Sequence, residues 1–135
     1  MVCVYCGGET KVVNSRHQKR NNQVWRRRQC LACQMVFTTH EEIELESVLS
    51  VSRDGRLEPF QRGLLLRELE LTLKDQTDAY SASREVMATI ISKLLKLPQK
   101  PVYEPSDISR LTTEVLKRFD RRAYLRYSAD HPITS

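Results

Sequence analysis

Glycine is scarce in this chain, with four residues in 135, and no glycine-rich phosphate-binding loop of the P-loop type occurs. The carboxylates are scattered and form no Mg²⁺-site motif. No apolar run approaches the length of a membrane span, and the start Met1-Val2-Cys3 leaves no room for a signal peptide. We therefore expect a cytoplasmic protein with no membrane partner, and we predict that the chain is not an enzyme. An enzymatic function remains only our third hypothesis.

Cysteine is also scarce, but its four residues form two C-x-x-C pairs, Cys3 with Cys6 and Cys30 with Cys33. Two such pairs supply the thiolates of a tetrahedral metal site, with metal–sulfur bonds of about 2.3 Å and no open position for water. A closed site of this kind is structural, so we predict one Zn²⁺ per chain, held by all four cysteines. Rubredoxin-like iron and a redox-active thiol pair are the alternatives. Disulfides would need an oxidising compartment.

Acidic residues are almost absent from the first forty positions. Residues 1–40 carry seven lysines and arginines against the single acid Glu9, a net charge of +6, which leaves −1 of the whole-chain +5 for residues 41–135. A one-sided basic surface on a rigid scaffold is typical of proteins that bind a polyanion, and nucleic acid is the leading candidate. The predicted DNA contacts are Arg16, Arg26, Arg27 and Arg28. The alternative is that these arginines only keep a small domain soluble.

The first part of the chain has the pattern of a small sheet. Strands are predicted at 10–14, 23–29 and 35–39, with a polar turn at 17–22 between the first two. This pattern indicates an all-β zinc ribbon with Trp25 and Phe37 as its small core. If the second strand is regular, Arg26 and Arg28 share one face of the sheet, and Arg27 shares the other face with Trp25.

The rest of the chain is mainly helical by pattern. A short β-hairpin, 48–52 with 57–60, turns at Asp54-Gly55, and helices are predicted at 61–74, 84–96 and 121–130. One more helix runs from an N-cap at Ser106 to Phe119, and Ser81 or Ser83 caps the helix at 84–96. The predicted fold class is therefore α+β. Domain boundaries are predicted at 1–46 for the ribbon and 47–130 for the helical domain, followed by a tail at 131–135.

Motifs at both ends of the chain resemble NrdR, the bacterial family of transcriptional repressors of ribonucleotide reductase genes. The N-terminal half of the resemblance consists of Cys3 to Cys6, Asn14-Ser15-Arg16, the arginine run at 26–28 before Cys30 to Cys33, and Val36-Phe37-Thr38-Thr39-His40-Glu41. The C-terminal half is the segment 116–128, which is similar to the family's Leu-Arg-x-Leu-Asp-x-x-Ala-Tyr-Val-Arg-Phe-Ala. The resemblance covers nearly the whole chain.

The resemblance implies an N-terminal zinc ribbon that binds double-stranded promoter DNA, followed by an ATP-cone. The ATP-cone is a small module that binds ATP or dATP as a regulatory ligand and sets the size of a homo-oligomer. By position, the implied nucleotide-binding residues of this chain are Val51, Arg53, Asp54, Gly55 and Glu58. The implied location is the bacterial cytoplasm, with the protein associated with the nucleoid when it is bound to DNA.

Departures from the family pattern concentrate at the implied nucleotide site. Ser52 and Leu64 stand where the family has lysines that bind phosphate. A charge-assisted hydrogen bond contributes about 1.5 to 3 kcal/mol, so the absence of two lysines predicts nucleotide binding that is weaker by roughly a hundredfold or more. As a second hypothesis, the chain is a zinc-ribbon module that binds nucleic acid or an acidic protein and carries a degenerate, nucleotide-insensitive cone.

Overall fold

A computed structural model describes residues 1–132 and divides the chain into two compact units, Met1–Ile43 and Glu44–Ser135. The sequence analysis places this boundary after residue 46, whereas the structure places it after Ile43. The reason is a short helix, α1 (Leu45–Val48), whose Leu45 is buried in the core of the second unit together with Leu49. Of the predicted tail at 131–135, residues 133–135 lie outside the described part of the chain.

The first unit is a three-stranded antiparallel sheet in the order β1-β2-β3, formed by β1 (Thr10–Gln18), β2 (Gln23–Cys30) and β3 (Val36–Glu41). Strand β1 extends further than predicted, since His17 and Gln18 pair with the start of β2 and do not belong to the turn. The turn is correspondingly tight, and Asn22 adopts a positive φ of 49° within it. Asparagine tolerates this left-handed conformation better than most residues do.

The predicted core of the ribbon is wrong. Trp25 and Phe37 are only half-buried, and the buried apolar residues of this unit are Cys3 and Cys30. Phe37 pairs with Arg28, three positions along β2 from Trp25, so the two rings lie on opposite faces of the sheet. The sheet of the ribbon therefore has no aromatic core, and its buried centre consists of metal ligands.

The second unit combines a small sheet with helices. Its further elements are β4 (Ser50–Arg53), β5 (Arg56–Pro59), α2 (Arg62–Thr72), α3 (Ala79–Leu94), β6 (Val102–Tyr103), α4 (Pro105–Phe119) and α5 (Arg121–Asp130). The predicted hairpin is present as β4 and β5, with Asp54 and Gly55 both at positive φ in its turn. The sequence analysis missed β6, which pairs in parallel with β4 and completes the sheet order β5-β4-β6.

The core of the second unit lies between this sheet and the helices. Leu69, Ile90 and Leu94 are completely buried, as are Leu116 and the ring of Tyr103. The hydroxyl of Tyr103 donates a hydrogen bond of 2.7 Å to the carbonyl of Leu94, so this buried polar group is satisfied. Strand β6 is thus held by its side chain as well as by its pairing with β4.

Two predicted helix caps differ from the observed ones. Helix α3 begins at Ala79, where the carboxylate of Asp78 accepts the backbone N–H of Ser81 at 3.1 Å, and Ser83 lies inside the helix. Helix α4 begins at Pro105, one residue before the predicted cap Ser106. In both helices an acidic residue, Asp78 or Glu104, takes the capping position that the sequence analysis assigned to a serine, because α3 begins about one turn earlier and α4 two residues earlier than predicted.

Candidate metal centre and nucleic-acid interface

The four cysteines meet at one end of the ribbon. Cys3 and Cys6 lie on the turn before β1, Cys30 ends β2, and Cys33 lies on the turn before β3. The four Sγ atoms lie within 4.8 Å of one another, and all four thiols are free. The structure therefore brings together the complete predicted ligand set from positions that are up to 30 residues apart.

The sulfur spacing agrees with a tetrahedral zinc site. The Sγ atoms of Cys3 and Cys33 are 3.7 Å apart, and those of Cys6 and Cys30 are 3.4 Å apart. Sulfurs at the corners of a tetrahedron with zinc–sulfur bonds of about 2.3 Å are separated by about 3.8 Å. The ligand set is thiolate alone, which suits Zn²⁺ in a closed structural site.

Backbone N–H groups support the sulfurs. The Sγ atom of Cys30 accepts the N–H of Ala32 at 3.3 Å and that of Cys33 at 3.4 Å, and Cys3 accepts the N–H of Tyr5 at 3.3 Å. The N–H of Cys33, followed by that of Ala32, lowers the pKa of Cys30 to about 6, against the burial that would raise it. These bonds favour the thiolate, which is the form that binds zinc.

Gly8 lies against the sulfurs, and any larger residue there would crowd them. A Cβ atom at this position would come within 3.3 Å of the Sγ atoms of Cys6 and Cys30 and within 3.2 Å of the Cβ of Ala32. The absence of a side chain at residue 8 therefore allows the first cysteine turn to approach the second without displacing the sulfurs. Sequence reasoning did not single out Gly8, since its role depends on a contact with residues more than twenty positions away.

The predicted DNA contacts divide between the two faces of the sheet. Strand β2 is regular against β3, pairing Trp25 with His40 and Arg27 with Thr38, so Arg27 shares a face with Trp25 as expected. We call this the Trp25 face, and we define it by Lys11, Arg16, Trp25, Arg27 and His40. The opposite side, which we call the Arg26 face, is defined by Ser15, Arg26, Arg28, Phe37 and Thr39.

A β-bulge decides the face on which Arg16 lies. The register between β1 and β2 shifts between Val12 and Asn14, which leaves Val13 as the extra residue. Without this shift Arg16 would pair with Val24 and lie on the Arg26 face, whereas in the structure it pairs with Trp25. Lys11, before the bulge, shares the Trp25 face with Arg16, although an odd separation of five residues normally puts two side chains on opposite faces.

The cations of the two faces differ in their partners. Arg26 is half-buried and donates to Ser15 at 3.2 Å and to the carboxylate of Glu41 at 3.4 Å. Arg28 is also half-buried, and its Nε atom has no hydrogen-bond partner among the described residues. Arg16 and Arg27 form no salt bridge within the described part of the chain, and both are exposed. Among the four arginines predicted to contact DNA, the two that are exposed and unneutralised therefore lie on the Trp25 face, together with Lys11, which the sequence analysis missed.

In the second unit, three of the five implied nucleotide-binding residues line one pocket. A cavity of about 110 Å³ lies between the hairpin, α2 and α4, with Val51, Arg53, Glu58, Leu64 and Glu68 in its lining. Asp54 and Gly55 form the hairpin turn and are not part of this lining. Leu64 lines the pocket, whereas Ser52, the other position at which the family has a lysine, does not.

The lining of this pocket matches a nucleoside triphosphate poorly. Two carboxylates, Glu58 and Glu68, face one guanidinium, and that guanidinium is already engaged because Arg53 Nε lies 3.2 Å from Glu58. A triphosphate carries several negative charges, which two carboxylates would repel. Apolar side chains form much of the remaining wall, among them Val51, Phe60, Leu64, Leu65 and Ile108.

Comparison with known proteins assigns the chain to a family. Residues 1–41 match the domain described as "Transcriptional repressor NrdR-like, N-terminal domain". The chain is 36% identical over 131 residues to the transcriptional repressor NrdR of Thermomicrobium roseum, a match that covers 96% of this chain and 80% of that protein. It belongs to the NrdR family. The NrdR proteins of Persephonella marina and Bordetella pertussis are each 35% identical to it, over 96% of this chain and 85% and 81% of their own lengths.

Membership of the NrdR family confirms several predictions. The matched domain spans the ribbon and includes all four cysteines, which supports zinc as the metal of this site. The NrdR relatives are named as transcriptional repressors, which is not an enzymatic function, so the prediction that the chain is no enzyme is confirmed.

Among residues 1–132, none of the helices is both long enough and apolar enough to cross a membrane.

Proposed function

We propose that this protein is a zinc-dependent repressor that binds promoter DNA of ribonucleotide reductase genes in the bacterial cytoplasm. The observation that carries the proposal is the Trp25 face, where Lys11, Arg16 and Arg27 share one surface of the sheet. The four cysteines form a cluster at one end of this sheet. Bound zinc would fix the ends of β2 and β3 and thereby hold these cations at constant spacing. Cations on a rigid surface neutralise phosphates, and arginine also reads guanine edges.

Among the four predicted arginines, we assign the leading DNA contacts to Arg16 and Arg27. A duplex that lies on one face of a sheet contacts the side chains of that face, and Arg26 on the other face is already neutralised by Glu41. Lys11 adds a third cation to the contacting surface. We infer that Arg26 acts mainly within the ribbon, where it connects β1 to β3 through Ser15 and Glu41, and that Arg28, half-buried on the same face, is not a leading contact.

Oligomerisation is part of the proposed mechanism. A ribbon with three strands covers few base pairs, so useful sequence specificity requires two or more ribbons that bind together. Copies of the chain that associate as a symmetric homo-oligomer would supply them. We propose that the second unit carries this association, since its core is separate from the ribbon.

Adenine nucleotides are the proposed regulatory ligands, with ATP and dATP acting at the pocket between the hairpin, α2 and α4. One observation favours a second candidate, in which the second unit assembles copies of the chain without responding to nucleotide. This observation is the lining itself, where two carboxylates face one engaged guanidinium and Leu64 replaces a lysine. Both candidates share the DNA-binding ribbon and differ only in regulation.

Fluorescence anisotropy tests the proposal and separates the two candidates. The zinc-loaded protein is titrated onto a ribonucleotide reductase promoter duplex and a scrambled duplex, each without nucleotide, with ATP and with dATP. We expect tighter binding to the promoter duplex, and a change in that preference with dATP identifies the nucleotide-regulated candidate. Preference that is indifferent to nucleotide identifies the second candidate, and equal binding to both duplexes would contradict the repressor assignment.

A further inference from the structure

Four cations lie within a stretch of six residues where helix α4 ends and helix α5 begins. They are Lys117 and Arg118 in the last turn of α4 and Arg121 and Arg122 in the first turn of α5, and all four are exposed. We call this group the α4–α5 corner. Within residues 1–132, none of the four forms a salt bridge, and the Nζ atom of Lys117 lies over the ring of Tyr124, 5.9 Å from its centroid.

The one acidic residue of this segment, Asp120, is engaged in capping helix α5. The carboxylate of Asp120 caps α5 by accepting the backbone N–H groups of Arg122 at 2.9 Å and Ala123 at 3.3 Å, and it also accepts the side-chain amide of Gln76. Five other cations of this unit are paired with carboxylates, whereas some isolated ones, such as Arg67 and Lys96, form no salt bridge in the described structure. The pairs are Arg53 with Glu58, Arg62 with Glu46, Lys93 with Glu114, Arg110 with Asp107, and Arg126 with Asp75.

Folding explains two of the four cations but not the other two. Lys117 and Arg118 lie at the C-terminal end of α4, where the helix dipole favours positive charge. Arg121 and Arg122 occupy the first turn of α5, which contains no acidic residue, at the end where the helix dipole disfavours positive charge. Arg122 is attracted to the carboxylates of Asp120 and Asp75, which offsets part of this effect. The helix dipole therefore accounts for Lys117 and Arg118 but not for Arg121 and Arg122.

The chemistry of the corner fits an extended polyanion. The four side chains are exposed on two successive helix ends, so they suit a row of phosphates better than a single small anion. We propose that the α4–α5 corner is a second surface that binds the phosphate backbone of DNA, in addition to the Trp25 face of the ribbon. This inference rests on the proposed function, because it takes DNA as the partner of the protein.

Phosphate binding by the second unit would raise affinity without adding sequence information. The ribbon would select the site, while the corner would increase the binding of every duplex to the same extent. This division of roles leads to a measurable signature. The dependence of affinity on salt reports how many phosphates the protein neutralises, whereas the ratio of the affinities for two duplexes does not.

The test compares two doubly substituted full-length proteins. One is Arg121→Gln with Arg122→Gln, and the matched control is Arg67→Gln with Lys96→Gln, which removes two exposed cations of the same unit that form no salt bridge in the described structure. Anisotropy is measured on the promoter and scrambled duplexes over a series of NaCl concentrations. The slope of log K against log salt changes by about 0.9 for each phosphate that the protein no longer neutralises.

We expect the magnitude of this slope to fall by about 1.8 in the corner variant on both duplexes, with an unchanged ratio between the two affinities. The control variant keeps the wild-type slope. Thermal unfolding of the corner variant should occur close to the wild-type temperature, because removing two charges that oppose the helix dipole offsets the lost attraction of Arg122 to Asp120 and Asp75. A folded corner variant with weaker DNA binding therefore separates DNA binding from a change in folding.

Three results would overturn the inference. The first is a wild-type slope for the corner variant, which leaves the proposed function intact if the promoter duplex is still preferred. The second is an equal reduction of the slope in both variants, which indicates net charge rather than this surface. The third is the same wild-type slope accompanied by an altered oligomer size of the corner variant in sedimentation. This result identifies an acidic segment of a second copy as the partner. Wild-type protein with no DNA affinity contradicts both the inference and the proposed function.

Discussion

At the scale of single residues, Glu41 distinguishes between neighbouring arginines that look equivalent in the sequence. Arg26 and Arg27 are adjacent, but β-strand alternation sends them to opposite faces, and Glu41 lies on the face of Arg26. Arg27 has no such partner in the described structure and is exposed. The two residues therefore form a matched pair with equal formal charge and unequal availability.

This difference predicts unequal effects of alanine substitution. We expect Arg27→Ala to weaken binding to the promoter duplex and to reduce the salt slope by about 0.9 if it binds phosphate, or to cost about 1 to 3 kcal/mol of discrimination if it reads a base. Arg26→Ala should leave the salt slope close to the wild-type value. Anisotropy at several salt concentrations measures both, and a larger effect for Arg26→Ala would place DNA on the Arg26 face.

At the scale of elements, the pocket between the β4–β5 hairpin, α2 and α4 contains Leu64 at a position where the family resemblance implies a lysine. Leu64 projects from the first turns of α2 into the lining and is 57% exposed, so a longer charged side chain can be accommodated there. The neighbouring Arg53 is engaged with Glu58 and does not supply the missing charge. Helix α2 itself has no acidic residue in its first turn.

Restoring one lysine should therefore restore nucleotide affinity. We expect Leu64→Lys to increase the affinity for dATP by about 10- to 100-fold, which corresponds to one charge-assisted hydrogen bond of about 1.5 to 3 kcal/mol. The control is Leu57→Lys, which adds the same charge on β5 at an exposed position outside the pocket lining. Titration calorimetry measures both, and equal increases for the two variants would mean that dATP binds through general charge attraction.

Element by element, the sequence predicts what depends on local pattern and misses what depends on distant partners. Cysteine spacing predicts the complete ligand set of the metal site, and Asp54-Gly55 predicts the hairpin, because both signals lie within a few residues. Strand β6 has two residues and is defined by its pairing with β4, fifty positions earlier, so no local pattern indicates it. No local sequence pattern indicates the bulge at Val13 either, although the bulge determines the face of the sheet on which Arg16 lies.

At the scale of the whole molecule, the two units are stabilised by different means. The hydrophobic core of the described structure lies in the second unit, from Leu45 to Tyr127, while the ribbon buries Cys3 and Cys30. We therefore expect the ribbon, but not the second unit, to depend on bound metal for its stability. The single tryptophan of the chain, Trp25, lies in the ribbon, and the five helices of the described residues lie in the second unit.

This partition predicts the effect of removing zinc. We expect a strong chelator to change the fluorescence of Trp25 and to abolish DNA binding, because zinc binding and ribbon folding are linked. Circular dichroism at 222 nm should change little, since the helices remain packed. Adding Zn²⁺ back should restore the fluorescence of Trp25 and the DNA binding in the wild type but not in Cys30→Ser. A chelated protein that still binds the promoter duplex would contradict the structural role of the metal.

The parallel pairing of β4 with β6 also bears on the order in which the protein is completed during synthesis. The ribbon ends at Glu41, so it can bind its metal and fold as soon as that part of the chain has left the ribosome. The second sheet joins Ser50 to Val102 and cannot close until more than fifty further residues have been made. A nascent chain can therefore fold its ribbon before its second unit is able to fold.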